Sequence, residues 1–262
     1  WDAFSLNAAL GVSINDKTVN STRYDSKTAS LKYANVFNLA NIIMNGSAGL
    51  DQKIDARRQL QSLFATAQLG YNEFVYLDLS ARNDWSSTLA YTSHEKSGFF
   101  YPSVGFSLIF NKLMTLPRWV SLAKIRGAYS MVGNDIPMFI TNPSSHITAG
   151  GEFLASDAAP FKDMEPEMPH SFEAGIDARF LKNRIGLNAT FYKTNTRNQF
   201  FKLPTLSGDK YVYRYVNAGD IQNVGWEISL DAVPLLTNHF KWKTEVNFST
   251  NRNKIISLHE AL

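Results

Sequence analysis

The chain has 262 residues, of which 44% are apolar, 19% charged and 13% aromatic. This length allows one large domain or two smaller ones, and the apolar content excludes bulk disorder. A net charge of +3, from 26 Lys+Arg against 23 Asp+Glu, gives little ground for a nucleic-acid partner, and the lack of Cys excludes disulfides, thiolate nucleophiles and Cys-ligated metals. No apolar run approaches the ~20 residues of a transmembrane helix, which leaves β-barrels open because their strands alternate. The opening at Trp1, with no Met and no signal peptide, predicts an excised fragment or a processed product.

The strands are legible in chain order as period-two alternation. Residues 4–14 and 59–69 read as strands with mixed faces. In 73–82, Val75, Leu77, Leu79 and Ala81 oppose Tyr76, Asp78, Ser80 and Arg82. In 103–110, Val104, Phe106, Leu108 and Phe110 oppose Ser103, Gly105 and Ser107, with Ile109 as the exception. Residues 122–131 set Lys124, Arg126 and Ser130 against Ala123, Ile125, Tyr129 and Met131. Residues 172–180 set Glu173, Gly175, Asp177 and Arg179 against Phe172, Ala174, Ile176, Ala178 and Phe180. In 185–192, Ile185, Leu187, Ala189 and Phe191 form the apolar parity. In 223–232 it is Val224, Trp226, Ile228, Leu230 and Ala232, against Glu227, Ser229 and Asp231. In 240–249, Phe240, Trp242, Val246 and Phe248 oppose Lys241, Lys243, Glu245 and Ser249. The total is about nine strands of about ten residues, longer than the usual globular strand and suited to a membrane span.

Connections alternate as well. Residues 181–184 and 70–72 are tight turns, and 111–121 and 234–239 are moderate, each with a Pro. Between them lie long polar segments at 15–58, 83–99, 132–170 and 198–222. Alternating short and long connections, and aromatics near strand ends, suit an outer-membrane barrel with interfacial girdles. A soluble, secreted all-β fold, such as a carbohydrate-binding module or the β-domain of a glycoside hydrolase, also alternates, so the pattern alone leaves both open.

The residues then carry a family resemblance. Ala81-Arg82-Asn83-Asp84-Trp85-Ser86-Ser87-Thr88-Leu89, followed by Phe100-Tyr101-Pro102-Ser103-Val104, resembles the barrel signature of SusC/RagA-like TonB-dependent outer-membrane transporters. Further blocks agree in order: Arg126 through Asp135; Pro166-Glu167, Ser171 through Gly175, Asn183-Arg184 and Tyr192 through Thr196; and Asn217 through Glu227. The match spans residues 57–253. It implies that residues 1–262 are the middle portion of an all-β, antiparallel up-and-down transmembrane barrel of about 22 strands, in a gram-negative outer membrane. No plug domain, TonB-contact box or aromatic closing strand is legible in the chain. The resemblance also implies uptake of oligosaccharides or peptides, a SusD-like surface lipoprotein as lid, and energy from TonB through the missing plug. No cofactor and no catalysis are implied, and the signature argues against a passive porin.

Candidate residues follow. Asp78, Arg82, Lys124, Arg126, Glu173, Asp177, Arg179, Glu227 and Asp231 lie on polar parities and are expected to face the lumen, because Arg or Lys facing lipid at mid-membrane costs roughly 2–4 kcal/mol. Asn83, Asp84 and Trp85 are candidate loop contacts to substrate, Trp by stacking on a sugar and Asn and Asp through hydroxyls. The competing reading is an Asx-type turn with Trp85 as an interfacial anchor. Asp163, Glu165, Glu167 and His170 have no metal-ligand spacing, and no other His has a readable catalytic partner.

Overall fold

The computed structural model describes residues 3–25, 31–42, 49–143, 145–147, 153–162 and 164–258. The strands in chain order are β1 (Phe4–Asp25), β2 (Gly49–Tyr71), β3 (Val75–Ser86), β4 (Phe99–Ile109), β5 (Val120–Met131), β6 (His146–Ile147), β7 (Phe153–Leu154), β8 (Met168–Phe180), β9 (Ile185–Pro204), β10 (Tyr213–Leu236) and β11 (Lys241–Leu258). A short helix, α1 (Phe110–Leu113), follows β4. Nine strands form one antiparallel sheet in the order β1-β2-β3-β4-β5-β8-β9-β10-β11. Each sheet neighbour is therefore the next long strand in the chain, the meander expected from the connection lengths. β6 and β7 make a separate small hairpin within the β5–β8 connection.

The registers fix which residues share a face, because directly paired residues point the same way. Gln68, Asp78, Gly105, Ala128, Glu173, Tyr192 and Gly225 form one continuous row across seven strands. Lys124, Asp177, Asn188, Ser229 and Asn247 form another row on that face. The alternate residues, including Leu79, Val104, Phe106, Ile176, Leu187, Trp226, Leu230 and Val246, make up the opposite face. Between the bulges at Arg23/Tyr24, Val120/Leu122, Asn217–Ile221 and Ala232/Leu235 the registers agree on this division, so one face is mainly polar and the other mainly apolar.

No second sheet covers the apolar face among the described residues. Leu10 is 77% exposed, Val246 61%, Phe106 52% and Leu230 45%. The buried apolar cluster lies instead at the long-connection end. Leu89, Phe99, Ile136, Ile140, Phe161 and Met164 pack together there, joined by Tyr101, Phe200 and Tyr215. Phe99 and Tyr101 belong to the polar parity of β4, so the connections fold over the end of the polar face and not over the apolar one.

Several strands run far past the expected limits. β1 and β2 reach 22 and 23 residues, and their hairpin takes up residues 15–25 and 49–58, which the sequence reads as loop. Likewise 198–222 is mostly the extended β9–β10 hairpin, with only 205–212 as its connection. β3 runs on to Ser86 and β8 starts at Met168. Beyond the apolar band both strand faces meet water, so alternation fades while backbone pairing continues.

At the other end the turns are tight. Asn72 and Glu73 both take positive φ between β2 and β3, and Leu181, Lys182 and Asn183 do so between β8 and β9. Asn72 and Asn183 suit that conformation, while Leu181 is tied by its N–H to the Trp119 carbonyl at 2.7 Å. Lys112 of α1 reaches across to Glu73 (Nζ to Oε2, 2.6 Å), and this contact holds the Glu73 carboxyl below its usual range. A lowered carboxyl favours the folded turn above its ordinary titration range, and the contribution fades as pH falls through the lowered value. Lys112→Ala is expected to return Glu73 to an ordinary carboxylate titration, read by NMR of the labelled side chain.

Candidate functional site

All nine charged candidates fall on the polar face. Lys124, Arg126, Asp78 and Glu173 line a trough of about 690 Å³ that runs along β1–β5 to β8. Arg126 donates from its terminal nitrogen to Thr190 Oγ1 at 2.6 Å and sets Nε 3.5 Å from Asp177 Oδ2. Asp177 also accepts from the Asn188 amide. Arg179 lies 3.5 Å from Asp231, and Gln68 donates to Asp78 at 2.7 Å. These side chains stay partly exposed, Arg126 at 33% and Arg179 at 45%, so the pairs are solvated and individually weak.

Glycines on this face make room for the long side chains. A Cβ at Gly186 would sit 2.2 Å from Asp231 Oδ1, and one at Gly175 would sit 3.0 Å from the Arg126 guanidinium carbon. Gly186→Val is therefore expected to displace the Asp231 carboxylate and break the Arg179–Asp231 pair, at a cost of no more than about 1 kcal/mol because both side chains can swing into solvent. Loss of folded receptor in the heat-modifiability assay, compared with Asp231→Asn, measures it.

Arg82 and the Asn83-Asp84-Trp85 segment sit where β3 leaves the trough. Arg82 Nε donates to Asp84 Oδ1 at 2.7 Å and its terminal nitrogen to Ser62 Oγ at 2.9 Å. The Tyr101 hydroxyl donates to the other Asp84 oxygen. Asp84 is buried at 4% exposure, so its acceptors are already used. Asn83 donates its amide to the Ser97 carbonyl (3.3 Å) and Trp85 its indole N–H to the Lys96 carbonyl (3.2 Å), which pins the β3–β4 connection.

The residue that sequence reasoning missed is Asp135. One of its oxygens accepts from Ser86 Oγ at 2.8 Å and the other from Thr88 Oγ1 and from the Ile136 N–H, and Arg58 makes an ion pair with it. The two signature blocks containing Ser86 and Asp135 are thus joined at one carboxylate. The sequence marks Arg57-Arg58 only as a dibasic pair. On a strand neighbours face oppositely: Arg58 goes to Asp135, and Arg57 goes to Asp16 on the other side. A hydroxyl-rich Ser86-Ser87-Thr88 facing an Asn-Asp pair was the available signal.

The acidic group near His170 disperses. Glu165 accepts from Asn198 (2.7 Å), Glu167 from the Phe200 N–H (3.2 Å), and His170 Nδ1 bonds the Tyr129 hydroxyl (2.8 Å). Asp163 lies outside the described residues.

With this geometry in place, the comparisons with known proteins are decisive. The family described as TonB dependent receptor-like, beta-barrel, matches residues 2–256. The chain belongs to that family. TonB-dependent receptor P39 of Formosa agariphila is 25% identical over 235 residues, covering 86% of this chain and 22% of the relative. TonB-dependent receptor SusC of Bacteroides thetaiotaomicron is 24% identical over 228 residues, covering 78% of this chain and 22% of SusC. The chain therefore spans about a fifth of the length of these curated TonB-dependent receptors. The structure of the RagAB peptide transporter superposes with a TM-score of 0.81 at 20% identity, over 100% of this chain and 29% of that one. The siderophore receptor PirA from Pseudomonas aeruginosa gives 0.57 at 14% identity, over 96% and 40%. These likenesses establish the TonB-dependent receptor barrel fold for the nine-stranded sheet, open at both edges among the described residues. The family is one of receptors and not of enzymes.

Proposed function

We propose that residues 1–262 are one continuous stretch of barrel wall from a TonB-dependent transporter in a gram-negative outer membrane. In this reading the protein takes up oligosaccharides, with a SusD-like surface lipoprotein as lid and TonB acting through a plug domain elsewhere in the protein. The observation that carries the reading is the division of a single-layer sheet into a mainly polar face and an apolar face left uncovered among the described residues. A soluble sandwich would bury that apolar face under a second sheet.

Aromatic placement supports the same reading. Near the short turns, Phe4 and Tyr71 pack at 4.8 Å, and Trp119 stacks on Phe180 at 5.7 Å. Toward the other end, Phe172 and Tyr129 pair across β8 and β5, and Phe191 meets Trp226 at 5.2 Å. Phe172 and Phe180 are separated by about 26 Å along the strand, at ~3.3 Å per residue. With a tilt of ~40° that becomes about 20 Å along the membrane normal, close to the apolar band of a membrane barrel.

On this reading Asp78, Arg82, Lys124, Arg126, Glu173, Asp177, Arg179, Glu227 and Asp231 face the lumen, and Phe106, Leu108, Leu187, Leu230 and Val246 face lipid. Asn83, Asp84 and Trp85 hold the β3–β4 connection in place instead of touching cargo. Peptide cargo is the second reading, favoured by the likeness to the RagAB peptide transporter. Spin labels in the full-length receptor test the orientation. Lipid-soluble quenching at 187 and 230 with water-soluble quenching at 177 and 227 is expected, and the reverse refutes it. Uptake of labelled oligosaccharides and peptides by cells, with and without TonB, tests the activity and separates the two cargoes.

A further inference from the structure

We propose that the cleft between the β3–β4 and β5–β8 connections is a stacking subsite for neutral sugar residues, with Tyr91 and Phe139 as its platforms. The inference rests on the transporter reading above and names a contact site for its cargo. The cleft has a volume of about 310 Å³, and Arg57, Ser87, Tyr91, Met138, Phe139 and Asn142 are among its lining residues. That is the small end of the range of ligand pockets, suited to a short stretch of sugar rings.

The argument begins with the backbone. Tyr91 has φ +68° and Phe139 has φ +69°. Bulky side chains rarely occupy this left-handed region, where glycine or asparagine would fold more easily. Packing does not account for the rings either. Tyr91 is 68% exposed and Phe139 49%, and neither belongs to the buried cluster beneath them. Two aromatic rings thus stand on two separate connections, in a conformation that folding disfavours, beside one cleft. Strain of this kind, fixed by the surrounding structure, points toward a function.

The polar groups set the ligand class. Arg57 is the one charged side chain lining the cleft, and it is bonded to Asp16 through Nε at 2.9 Å. No charge is left over to select an acidic ligand. Ser87 Oγ accepts from the Gln59 N–H at 3.0 Å and keeps its own proton to donate. The Asn142 amide and the Tyr91 phenol have no protein partner among the described residues. The cleft therefore offers two aromatic faces and uncharged donors and acceptors. A pyranose matches that set, with C–H faces for the rings and hydroxyls for the amide and alcohols. The two connections that carry the rings are held together by the buried contacts of Leu89 with Ile136 and Ile140, and by the Thr141 hydroxyl donating to the Thr88 carbonyl at 3.3 Å.

The test uses the full-length receptor in detergent and titration calorimetry with maltohexaose, xylohexaose, mannohexaose and laminarihexaose. A galacturonate hexamer and an alanine hexapeptide serve as acidic and peptide comparators. At least one neutral hexaose is expected to bind, and Tyr91→Gly and Phe139→Gly are each expected to weaken it at least about tenfold. Both glycine variants are expected to keep or raise the Tm, because glycine relieves the backbone, so lost binding cannot be put down to misfolding. Absence of binding by every neutral hexaose, binding unmoved by both variants, or binding of the galacturonate or peptide that depends on these rings would each overturn the proposal. TonB-dependent uptake by cells is read in parallel. Uptake of a hexaose untouched by both variants defeats the cleft and leaves the transporter reading standing. Ring-dependent binding with no energised uptake of any probe defeats the transporter reading and leaves the cleft.

Discussion

Replacing Leu187 or Leu230 by Arg is expected to cost roughly 2–4 kcal/mol of barrel stability and to deplete the outer membrane of folded receptor. The two residues are direct cross-strand partners between β9 and β10 on the apolar face, level with Ala178 of β8. Each is flanked in sequence by polar-face residues, Leu187 by Gly186 and Asn188, and Leu230 by Ser229 and Asp231. The same Arg placed one position away, at Ser229 or Asn188, is expected to be tolerated to within about 1 kcal/mol, as a wet lumen hydrates it. A one-residue step between heavy loss and tolerance is what a membrane wall demands, since the side-chain period of a strand is two. A soluble sandwich would penalise Leu187→Arg as well, through burial. The two cases separate in detergent and lipid thickness: in a membrane the penalty varies with depth, so Leu230→Arg, level with Ala178 and near the Phe180 belt, should cost less than Ile228→Arg, level with Ile176 midway between Phe172 and Phe180. Surface abundance by protease protection and heat-modifiable mobility on gels gives the ranking.

What the sequence showed and what it hid divide along the limits of the apolar face. Where one face of the sheet is apolar and the other polar, most strands were legible by alternation, while 4–14 and 59–69 read only as strands with mixed faces. Residues 172–180, 185–192 and 223–232 alternate with the parity that the strand registers show, and the nine charged candidates share one face of the sheet. Beyond those limits the alternation lapses. Residues 15–25 have no alternation, and only their pairing with 49–60 makes them a strand. The fold of the connections was hidden for a different reason. Leu89, Ile136, Phe161 and Met164 come from three segments, and no local pattern says that they meet. Asn83, Asp84 and Trp85 were visible as a signature, but the partners that explain them, Tyr101 and the carbonyls of Lys96 and Ser97, depend on register and loop path. The left-handed conformations of Tyr91 and Phe139 have no sequence signal, because aromatics are among the residues least expected there.

Asp135→Ala is expected to loosen the outer connections as a unit. The carboxylate bridges three elements: Arg58 on β2, Ser86 and Thr88 at the end of β3, and the start of the β5–β8 connection through the Ile136 N–H. Arg58 has a buried Nε without an acceptor among the described residues, so Asp135 is its main compensation. Breaking a fully buried pair from one side costs ~3–5 kcal/mol, because the remaining charge is stranded. Arg58 keeps 32% of its side chain exposed, so water recovers part of this and about 2 kcal/mol is expected. Asp135→Asn keeps one oxygen to accept from Thr88 and the Ile136 N–H and puts an amide donor where the other oxygen met Ser86 and Arg58; the Ser86 hydroxyl can turn to accept from it, so the loss should be the smaller. The adjacent arginine supplies the control. Arg57 pairs with Asp16 at the exposed surface, with 68% of its side chain in solvent, and Arg57→Ala is expected to leave stability unchanged. Amide hydrogen exchange in the full-length receptor reads the difference. Asp135→Ala should speed exchange across 87–98 and 132–143 together, while β8 and β9 below the loops keep their protection. Faster exchange confined to residues next to 135 would mean that the carboxylate is a local cap. Coordinated loss in both segments would mean that it is the tie that joins them.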